Sequence, residues 1–221
     1  MRAGTKFLAV LGLALLVATS AAAGTISVTS PAPLDQQYQQ TENSPCVFGD
    51  PSCHQPSGFF YTSIAGGGTL QNWGVPTAVQ SPTYLGSDIY AAIGSYGFIV
   101  GIDVNQAQHL SPTLTYFAEF INGVEVATFG TEGALTGTTL ILTNNGNGYA
   151  DAILSGFVAP GADDEVYFKL SYVGANDGTE EFFLINAASP PPVVPEPSSL
   201  AMLGTGLVGA AGMIRRRYFG K

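Results

Sequence analysis

The chain has 221 residues, a formal net charge of −9 and 46% hydrophobic residues, which is enough for one compact domain with an apolar core. Residues 24–194 contain 15 of the 16 acidic residues and a single basic residue, Lys169, so this part has a net charge of −14. Such a charge repels phosphate backbones and excludes nucleic acid as a partner.

The N-terminal segment has the order of a secretory signal peptide. Basic residues precede an apolar stretch at 7–17, and the alanines at 21–23 supply the small residues of a cleavage site. We therefore expect residues 1–23 to be a signal peptide and residues 24–189 to be an exported domain. A signal-anchor helix is the alternative for the first segment.

The segment 31–57 is rich in Gln, Pro, Ser and Asn and predicts a long surface loop. It contains both cysteines of the chain, Cys46 and Cys53, in the exported part where thiols oxidise. A disulfide between them would close a loop of eight residues and tie the segment. The alternative is a metal site that uses both thiols and His54, although a fourth ligand is missing.

Short β-prone runs separated by turn residues follow along most of the remaining chain. This spacing predicts an all-β fold, an antiparallel β-sandwich or jelly-roll-like domain. The run at 149–158 is the exception, because its alanine, isoleucine and leucine could also begin a short helix. The predicted strands lie at 25–29, 58–64, 95–103, 113–121, 124–129, 138–143, 149–158, 165–173 and 180–186.

A β-hairpin is predicted at Asn122-Gly123, since both residues tolerate the positive φ of a type I′ turn. A two-residue loop places Glu119 and Glu125 on opposite faces of the hairpin. Both faces are largely apolar, so the hairpin should lie in the middle of a sheet or present aromatic side chains for binding. The predicted cross-strand pairs are Ile121 with Val124, Phe120 with Glu125, and Glu119 with Val126.

The strand at 165–173 alternates cleanly and predicts one buried and one solvent-facing side. Its apolar side carries Val166, Phe168, Leu170 and Tyr172. The other side carries Tyr167, Lys169, Ser171 and Val173.

The sequence offers no convincing catalytic constellation. Glu119 and Glu125 cannot act as a carboxylate pair across a glycosidic bond if they lie on opposite faces. The two histidines, His54 and His109, are far apart in the chain, and no serine elbow, phosphate loop or zinc motif is present. We therefore expect the domain not to be an enzyme.

A possible calcium loop lies at 143–151. It resembles the loops of integrin-like calcium repeats, with Asn145, Asn147 and Asp151 in the third, fifth and ninth places. Only one carboxylate remains in this set, and calcium affinity follows the charge of the ligands. A turn rich in glycine and asparagine is the preferred interpretation, and a weak calcium site is the alternative. No other cofactor is expected.

Aromatic residues could form a carbohydrate-binding surface, because sugar rings stack on aromatic faces. Trp73, between loop signals, and Tyr149 are the candidate ligand-binding residues. Packing in the core or at a sheet edge is the preferred interpretation for such residues.

The C-terminal segment 190–221 has three parts in a fixed order. Prolines at 190–192 and the sequence Pro195-Glu196-Pro197 predict an extended, accessible stalk. Residues 198–214 predict an apolar helix of about 25 Å, close to the thickness of a bilayer core. Arg215-Arg216-Arg217 would stay in the cytoplasm, which places everything before Pro195 on the far side of the membrane. An ordinary single-pass anchor is the alternative.

This order of proline motif, helix and arginine cluster resembles the PEP-CTERM sorting domain of bacterial exosortase substrates. The resemblance covers about 27 residues and implies recognition of Pro195-Glu196-Pro197 by an exosortase, loss of the helix, and release or attachment at the cell surface. It also implies a Gram-negative host that makes a biofilm or exopolysaccharide. It does not specify what the exported domain does.

We therefore expect an exported cell-surface or extracellular-matrix protein, anchored transiently in the membrane and associated with exopolysaccharide or a surface matrix. A non-enzymatic structural role is the first interpretation. A carbohydrate-binding module, assisted by calcium in one version, is the second. A secreted hydrolase is the third.

Overall fold

In the computed structural model, residues 23–33, 38–64, 73–106, 111–143, 148–175 and 178–188 are described. These ranges contain thirteen strands and one short helix, so the predicted all-β class is confirmed. The strands are β1 (Gly24–Thr25), β2 (Ser27–Thr29), β3 (Cys46–Gly49), β4 (Thr62–Ser63), β5 (Trp73–Gln80), β6 (Tyr84–Leu85), β7 (Phe98–Asp103), β8 (Thr113–Ile121), β9 (Val124–Gly130), β10 (Thr138–Thr139), β11 (Ala152–Ser155), β12 (Glu165–Ala175) and β13 (Glu181–Asn186). The helix α1 spans Gly86–Ile93.

The strands form two mixed sheets. Sheet A has the order β1-β9-β8-β12-β5, with β10 beside β8 and β6 beside β12. Sheet B has the order β2-β11-β7-β13-β3-β4. Within the described ranges, pairing is antiparallel except for β1 with β9 and β3 with β4, so the prediction of purely antiparallel sheets fails at these two edges.

The inner faces of the two sheets share one hydrophobic core. Phe117 of sheet A stacks on Phe182 of sheet B with ring centroids 6.0 Å apart, and Phe168 meets Phe98 edge-on at 5.7 Å. Each fully buried aromatic or aliphatic side chain contributes roughly 1.5–3 kcal/mol through removal from water. The buried side predicted for β12 is confirmed, because Val166, Phe168, Leu170 and Tyr172 are all buried. The other side departs from the prediction at Ser171, which is also buried and lies 3.0 Å from the Thr115 hydroxyl.

The outer face of sheet B is covered by the disulfide-tied segment. Phe183 and Ile185 of β13 point to this side and pack with Cys46 and Tyr38. The approach is close at Gly101 of β7, where an added Cβ would lie 2.7 Å from the Phe183 ring. The segment predicted as a surface loop thus supplies a second, smaller hydrophobic cluster.

The hairpin between β8 and β9 is confirmed at its turn, where Asn122 has φ 51° and Gly123 has φ 78°. The predicted pair of Glu119 with Val126 is wrong: Val126 of β9 forms a bulge between the pairs Phe120–Glu125 and Glu119–Ala127. The bulge moves every later residue of β9 to the other face, so Phe129 faces Phe117. Both strands lie inside sheet A, as expected for this hairpin.

Three elements lie where loops were expected. β3 is fully buried inside the segment 31–57 and pairs with β13. β5 contains Pro76, which a strand tolerates at the edge of a sheet, because no neighbour needs the missing amide hydrogen there. α1 begins where Asp88 Oδ2 accepts a hydrogen bond from Leu85 N at 3.1 Å, and it ends at Gly94 in the left-handed conformation.

Both predicted sorting segments, 1–23 almost entirely and 190–221, lie outside the described residues. In the part of the chain that is described, no helix is long and apolar enough to cross a membrane. The predicted spanning helix at 198–214 is not in that part.

Candidate functional site

Four buried carboxylates gather at one end of sheet B. Asp103 ends the central strand β7, Asp151 precedes β11, Glu180 precedes β13, and Glu181 begins β13. Because β7 runs antiparallel to both of its neighbours, its end meets their starts. All four residues are at most 3% exposed. We refer to these four residues as the acidic cluster.

Three members of the acidic cluster bind backbone amides of the surrounding loops. Asp151 accepts hydrogen bonds from Val104 N at 2.9 Å and Thr143 N at 2.7 Å, and also from the Thr143 hydroxyl. Asp103 accepts one from Gly148 N at 2.6 Å. These carboxylates therefore supply partners for amides that would otherwise be left unpaired.

Glu180 binds the next two residues of the loop that leaves β7. Its Oε2 accepts a hydrogen bond from Asn105 N at 3.0 Å, and its Oε1 accepts one from Gln106 Nε2 at 2.7 Å. The acidic cluster as a whole therefore fixes the loops that leave β7 and enter β11 and β13.

Glu181 connects the acidic cluster to the disulfide-tied segment. Its Oε1 lies 2.6 Å from the hydroxyl of Ser52, which also contacts Asp50. The Ser52 hydroxyl donates to Glu181 and so joins the end of sheet B to the disulfide-tied segment. Burial raises the pKa of Glu181, and the charge of Asp50 adds to the effect.

Burial dominates the electrostatics of the acidic cluster. It raises the pKa of Asp103 to about 7, against the lowering effect of the Gly148 hydrogen bond. It raises the pKa of Glu180 to about 8, although Asn105 and Gln106 both donate to this carboxylate. The negative charges of Glu181 and Asp151 raise the pKa of Asp103 further, and those of Asp103 and Asp151 raise the pKa of Glu180.

The carboxylates of the acidic cluster bind loop groups through hydrogen bonds, which leaves few of their oxygen lone pairs for metal ligation. Cys46, Cys53 and Glu181 lie within 4.8 Å of one another, but the two sulfur atoms are bonded to each other. The calcium prediction involved Asn145 and Asn147, which lie outside the described residues, together with Asp151. The Asp151 carboxylate already accepts three hydrogen bonds, so few of its lone pairs remain for a cation.

The predicted disulfide is confirmed, with an S–S distance of 2.10 Å and a Cα–Cα distance of 6.1 Å. The alternative of a metal site using both thiols and His54 is wrong, because neither sulfur is a free thiolate. His54 instead binds Gln40, whose Oε1 accepts a hydrogen bond from His54 N at 3.0 Å.

A further buried carboxylate, Glu119, lies in the core of the domain. It is fully buried on β8, and its Oε2 accepts a hydrogen bond from Val158 N at 2.8 Å. Its Oε1 has no hydrogen-bond partner among the described residues. Burial raises the pKa of Glu119 to about 8. Glu125 binds Tyr116 on the other face, so the prediction that the two glutamates are separated is confirmed.

An aromatic pair lies on the outer face of sheet A. Phe120 and Tyr167 are cross-strand neighbours, and their rings stack 4.7 Å apart. Lys169 lies over the Phe120 ring at 5.1 Å and forms an ion pair with Glu132 at 3.8 Å. Both aromatic residues are half-buried. We call Phe120, Tyr167 and Lys169 the aromatic patch.

The predicted ligand-binding residues are far from this patch in the chain. Trp73 begins β5 opposite Ala175, and its side chain lies outside what the structure describes. Tyr149 is half-buried and forms an isolated bridge with Gln39. The aromatic patch could have been found by placing Phe120 and Tyr167, each already assigned to a face, on neighbouring strands.

The sorting residues complete the set of candidate sites. Pro195, Glu196, Pro197 and the arginines at 215–217 lie outside the described residues. A family model described as the PEP-CTERM protein-sorting motif matches residues 193–217. Neither a comparison with curated proteins nor one with solved structures found a match. The chain therefore carries a PEP-CTERM protein-sorting motif, which marks it as an exported surface protein targeted to an exosortase.

Proposed function

We propose that this protein is a non-enzymatic component of the cell surface or extracellular matrix, associated with exopolysaccharide or a biofilm. The observation that carries the proposal is the match of residues 193–217 to the PEP-CTERM protein-sorting motif. The motif follows a disulfide-bonded domain with a strong negative charge, a combination suited to an oxidising and aqueous exterior.

The state of the carboxylates supports a structural role over catalysis. A hydrolase needs acids that face a cleft and are free to exchange protons with a substrate. Asp103, Asp151 and Glu180 instead bind loop amides, and Glu119 lies within the core. Their present hydrogen bonds explain their burial without any substrate.

Sorting is the part of the proposal that is simplest to test. In this proposal, the predicted helix at 198–214 would hold the precursor in the membrane before processing, with the arginines at 215–217 in the cytoplasm. Replacing Glu196→Gln removes only the charge of the motif, and we expect uncleaved, membrane-bound precursor on fractionation of the host. Ser199→Ala is the matched control and should be processed normally. Normal processing of the Glu196 variant would refute recognition of this motif.

A carbohydrate-binding module is the second candidate, and the aromatic patch favours it. Phe120 and Tyr167 give an apolar surface on a solvent-facing sheet, and Lys169 and Glu132 beside them offer hydrogen-bonding groups. Sugar rings pack on such surfaces while their hydroxyls bind nearby polar groups. This placement makes Tyr167 a better candidate for mutation than Tyr149.

Cosedimentation of the exported domain with the host's own extracellular polysaccharide separates these candidates. For the carbohydrate-binding candidate, Tyr167→Ala should weaken retention by about threefold to tenfold. Phe60→Ala, at a 69% exposed position elsewhere, is the control. Trp73→Ala is measured in the same series, because the backbone position of Trp73 does not exclude a role in glycan binding.

Each outcome of the cosedimentation supports one candidate. Retention that depends on Tyr167 or Trp73 identifies a glycan-binding protein. Absence of retention favours a surface layer built from protein contacts, for which self-association is the next measurement. Release of soluble sugar products would identify a secreted hydrolase and overturn the non-enzymatic proposal.

A further inference from the structure

A pair of tyrosines forms an exposed apolar surface at the end of helix α1. Tyr90 is 49% exposed, and its ring lies 4.8 Å from that of Tyr96 at an angle of 32°. Ile89 and Ile93 of the same helix point into the core, so Tyr90 is not needed to fill it. No other ring or hydrogen-bonding group contacts the Tyr90 ring among the described residues.

The folded part of the chain ends beside this pair. Asn186, the last residue of β13, donates a hydrogen bond from Nδ2 to Ile93 O at 3.0 Å, next to the C-terminal end of α1. Ala187 N then donates to Gly97 O at 3.1 Å, one residue after Tyr96. Ala188 N donates to Asn186 Oδ1 at 2.8 Å and thereby turns the chain at the exit.

The residues that follow are Ser189-Pro190-Pro191-Pro192. We propose that the proline segment 190–192 packs on the Tyr90–Tyr96 pair. The assignment uses the position of the exit: with about 3.1 Å per residue in an extended polyproline helix, Pro190 is within about 7 Å of Ala188 along the chain. The exit at Ala188, next to Gly97 and the end of α1, therefore brings these prolines within reach of the tyrosine pair.

The chemistry of the two surfaces is complementary. Proline-rich segments commonly bind to aromatic side chains, because proline rings are apolar and carry no hydrogen-bond donor. A polyproline helix is already ordered before it binds, so little conformational entropy is lost. Attachment to the same chain raises the effective concentration of the segment, so a contact of this small size is sufficient.

The consequence concerns presentation of the sorting motif. A seated segment 190–192 would fix the direction in which Pro195-Glu196-Pro197 leaves the domain, and it would shorten the free tether to the few residues after Pro192. The inference rests on the exit geometry and is independent of any association with polysaccharide.

Photochemical crosslinking of the full-length chain in detergent micelles tests the contact. Tyr90→p-benzoylphenylalanine keeps an aromatic ring at the position and allows a covalent adduct on irradiation. We expect an adduct at the mass of a single chain, mapped by mass spectrometry of peptides to residues 189–192. The same probe at Leu135, which is 74% exposed in another loop, is the matched control.

A second variant makes the result decisive. Changing Pro190, Pro191 and Pro192 together to serine should reduce the adduct yield by about fivefold, which corresponds to about 1 kcal/mol. The thermal unfolding temperature of each variant shows that the domain remains folded. A yield no higher than at Leu135, adducts to other segments, or adducts at twice the chain mass would each overturn the proposal.

Discussion

The buried carboxyl of Glu119 makes the stability of the domain depend on pH in a direction opposite to that of most surface acids. Its pKa rises from 4.5 to about 8 on folding, because burial penalises the charged form. Between these values the folded state holds a proton that the unfolded state has lost. Stability therefore falls as pH rises through this window and is greatest below about pH 4.5.

The size of the effect follows from the two pKa values. A difference of one pKa unit corresponds to about 1.4 kcal/mol, so complete ionisation of Glu119 would remove up to about 5 kcal/mol. Domains of this size have a free energy of unfolding of about 5–15 kcal/mol. Ionisation of this single side chain at alkaline pH would thus remove a large share of the free energy of unfolding.

The Glu119→Gln variant removes this contribution, since an amide does not ionise. The Gln side chain keeps an oxygen to accept the hydrogen bond from Val158 N. Its amino group has no acceptor at the site, which costs about 1–3 kcal/mol at every pH. The prediction therefore concerns the difference between two pH values, and not the absolute stability at either.

Urea unfolding of residues 24–188 at pH 5 and pH 9 measures this difference. From pH 5 to pH 9 we expect the free energy of unfolding to decrease in both proteins. The decrease in the Glu119→Gln variant should be smaller than that in the wild type by several kcal/mol. Part of the decrease should remain, because Asp103 and Glu180 also have raised pKa values. Glu165→Gln, at an exposed position, is the control and should behave as the wild type. Equal decreases in wild type and Glu119→Gln would refute the assignment of a protonated Glu119 in the folded state.

Further perturbations probe other parts of the domain. Replacing Cys46 and Cys53 by serine should lower the free energy of unfolding by roughly 2.5 kcal/mol, measured with urea; a reductant should reproduce the loss in the wild type. Gly101→Ala should cost about 1–3 kcal/mol because its Cβ would meet the Phe183 ring, whereas Gly97→Ala has room and should be near neutral. Millimolar calcium should raise the melting temperature if the loop at 143–151 binds it; an unchanged value against EDTA would remove calcium from the account.

The hairpin shows how far local sequence reasoning reaches. The turn at Asn122-Gly123 could be predicted because its backbone requirement is met by those two residues alone. The bulge at Val126 could not, because the two turn residues do not fix the register of β9 beyond Glu125. The missed bulge reversed the predicted faces of the later residues of β9, but Glu119 and Glu125 still lie on opposite faces of the hairpin.

The missed elements have a common physical cause. β3 is four residues long and is stabilised by pairing with β13 and by burial on both faces. These are tertiary contacts, which cannot be predicted from the four residues of β3 alone. Helix α1 has eight residues, too few for helical periodicity to stand out from the flanking turns. A short segment takes the conformation that its neighbours stabilise.

The acidic cluster could not be predicted for a related reason. Asp103, Asp151 and Glu180 are separated by 48 and 29 positions in the sequence, and each resembles a solvated turn residue. Only the order of β11, β7 and β13 in sheet B brings them together. The disulfide, by contrast, needed only the count of cysteines and the presence of an export signal.

The place of β13 in the topology constrains the order of events during export. This strand is the last that the structure describes, yet it lies inside sheet B between β7 and β3. A chain that emerges from its N-terminal end therefore cannot close sheet B until residue 186 has crossed the membrane. Only six residues separate Asn186 from the start of the sorting motif at Val193. Completion of the fold and arrival of the motif at the membrane are thus nearly simultaneous, and a chain stalled before β13 emerged would leave β7 and β3 without the strand that pairs with both.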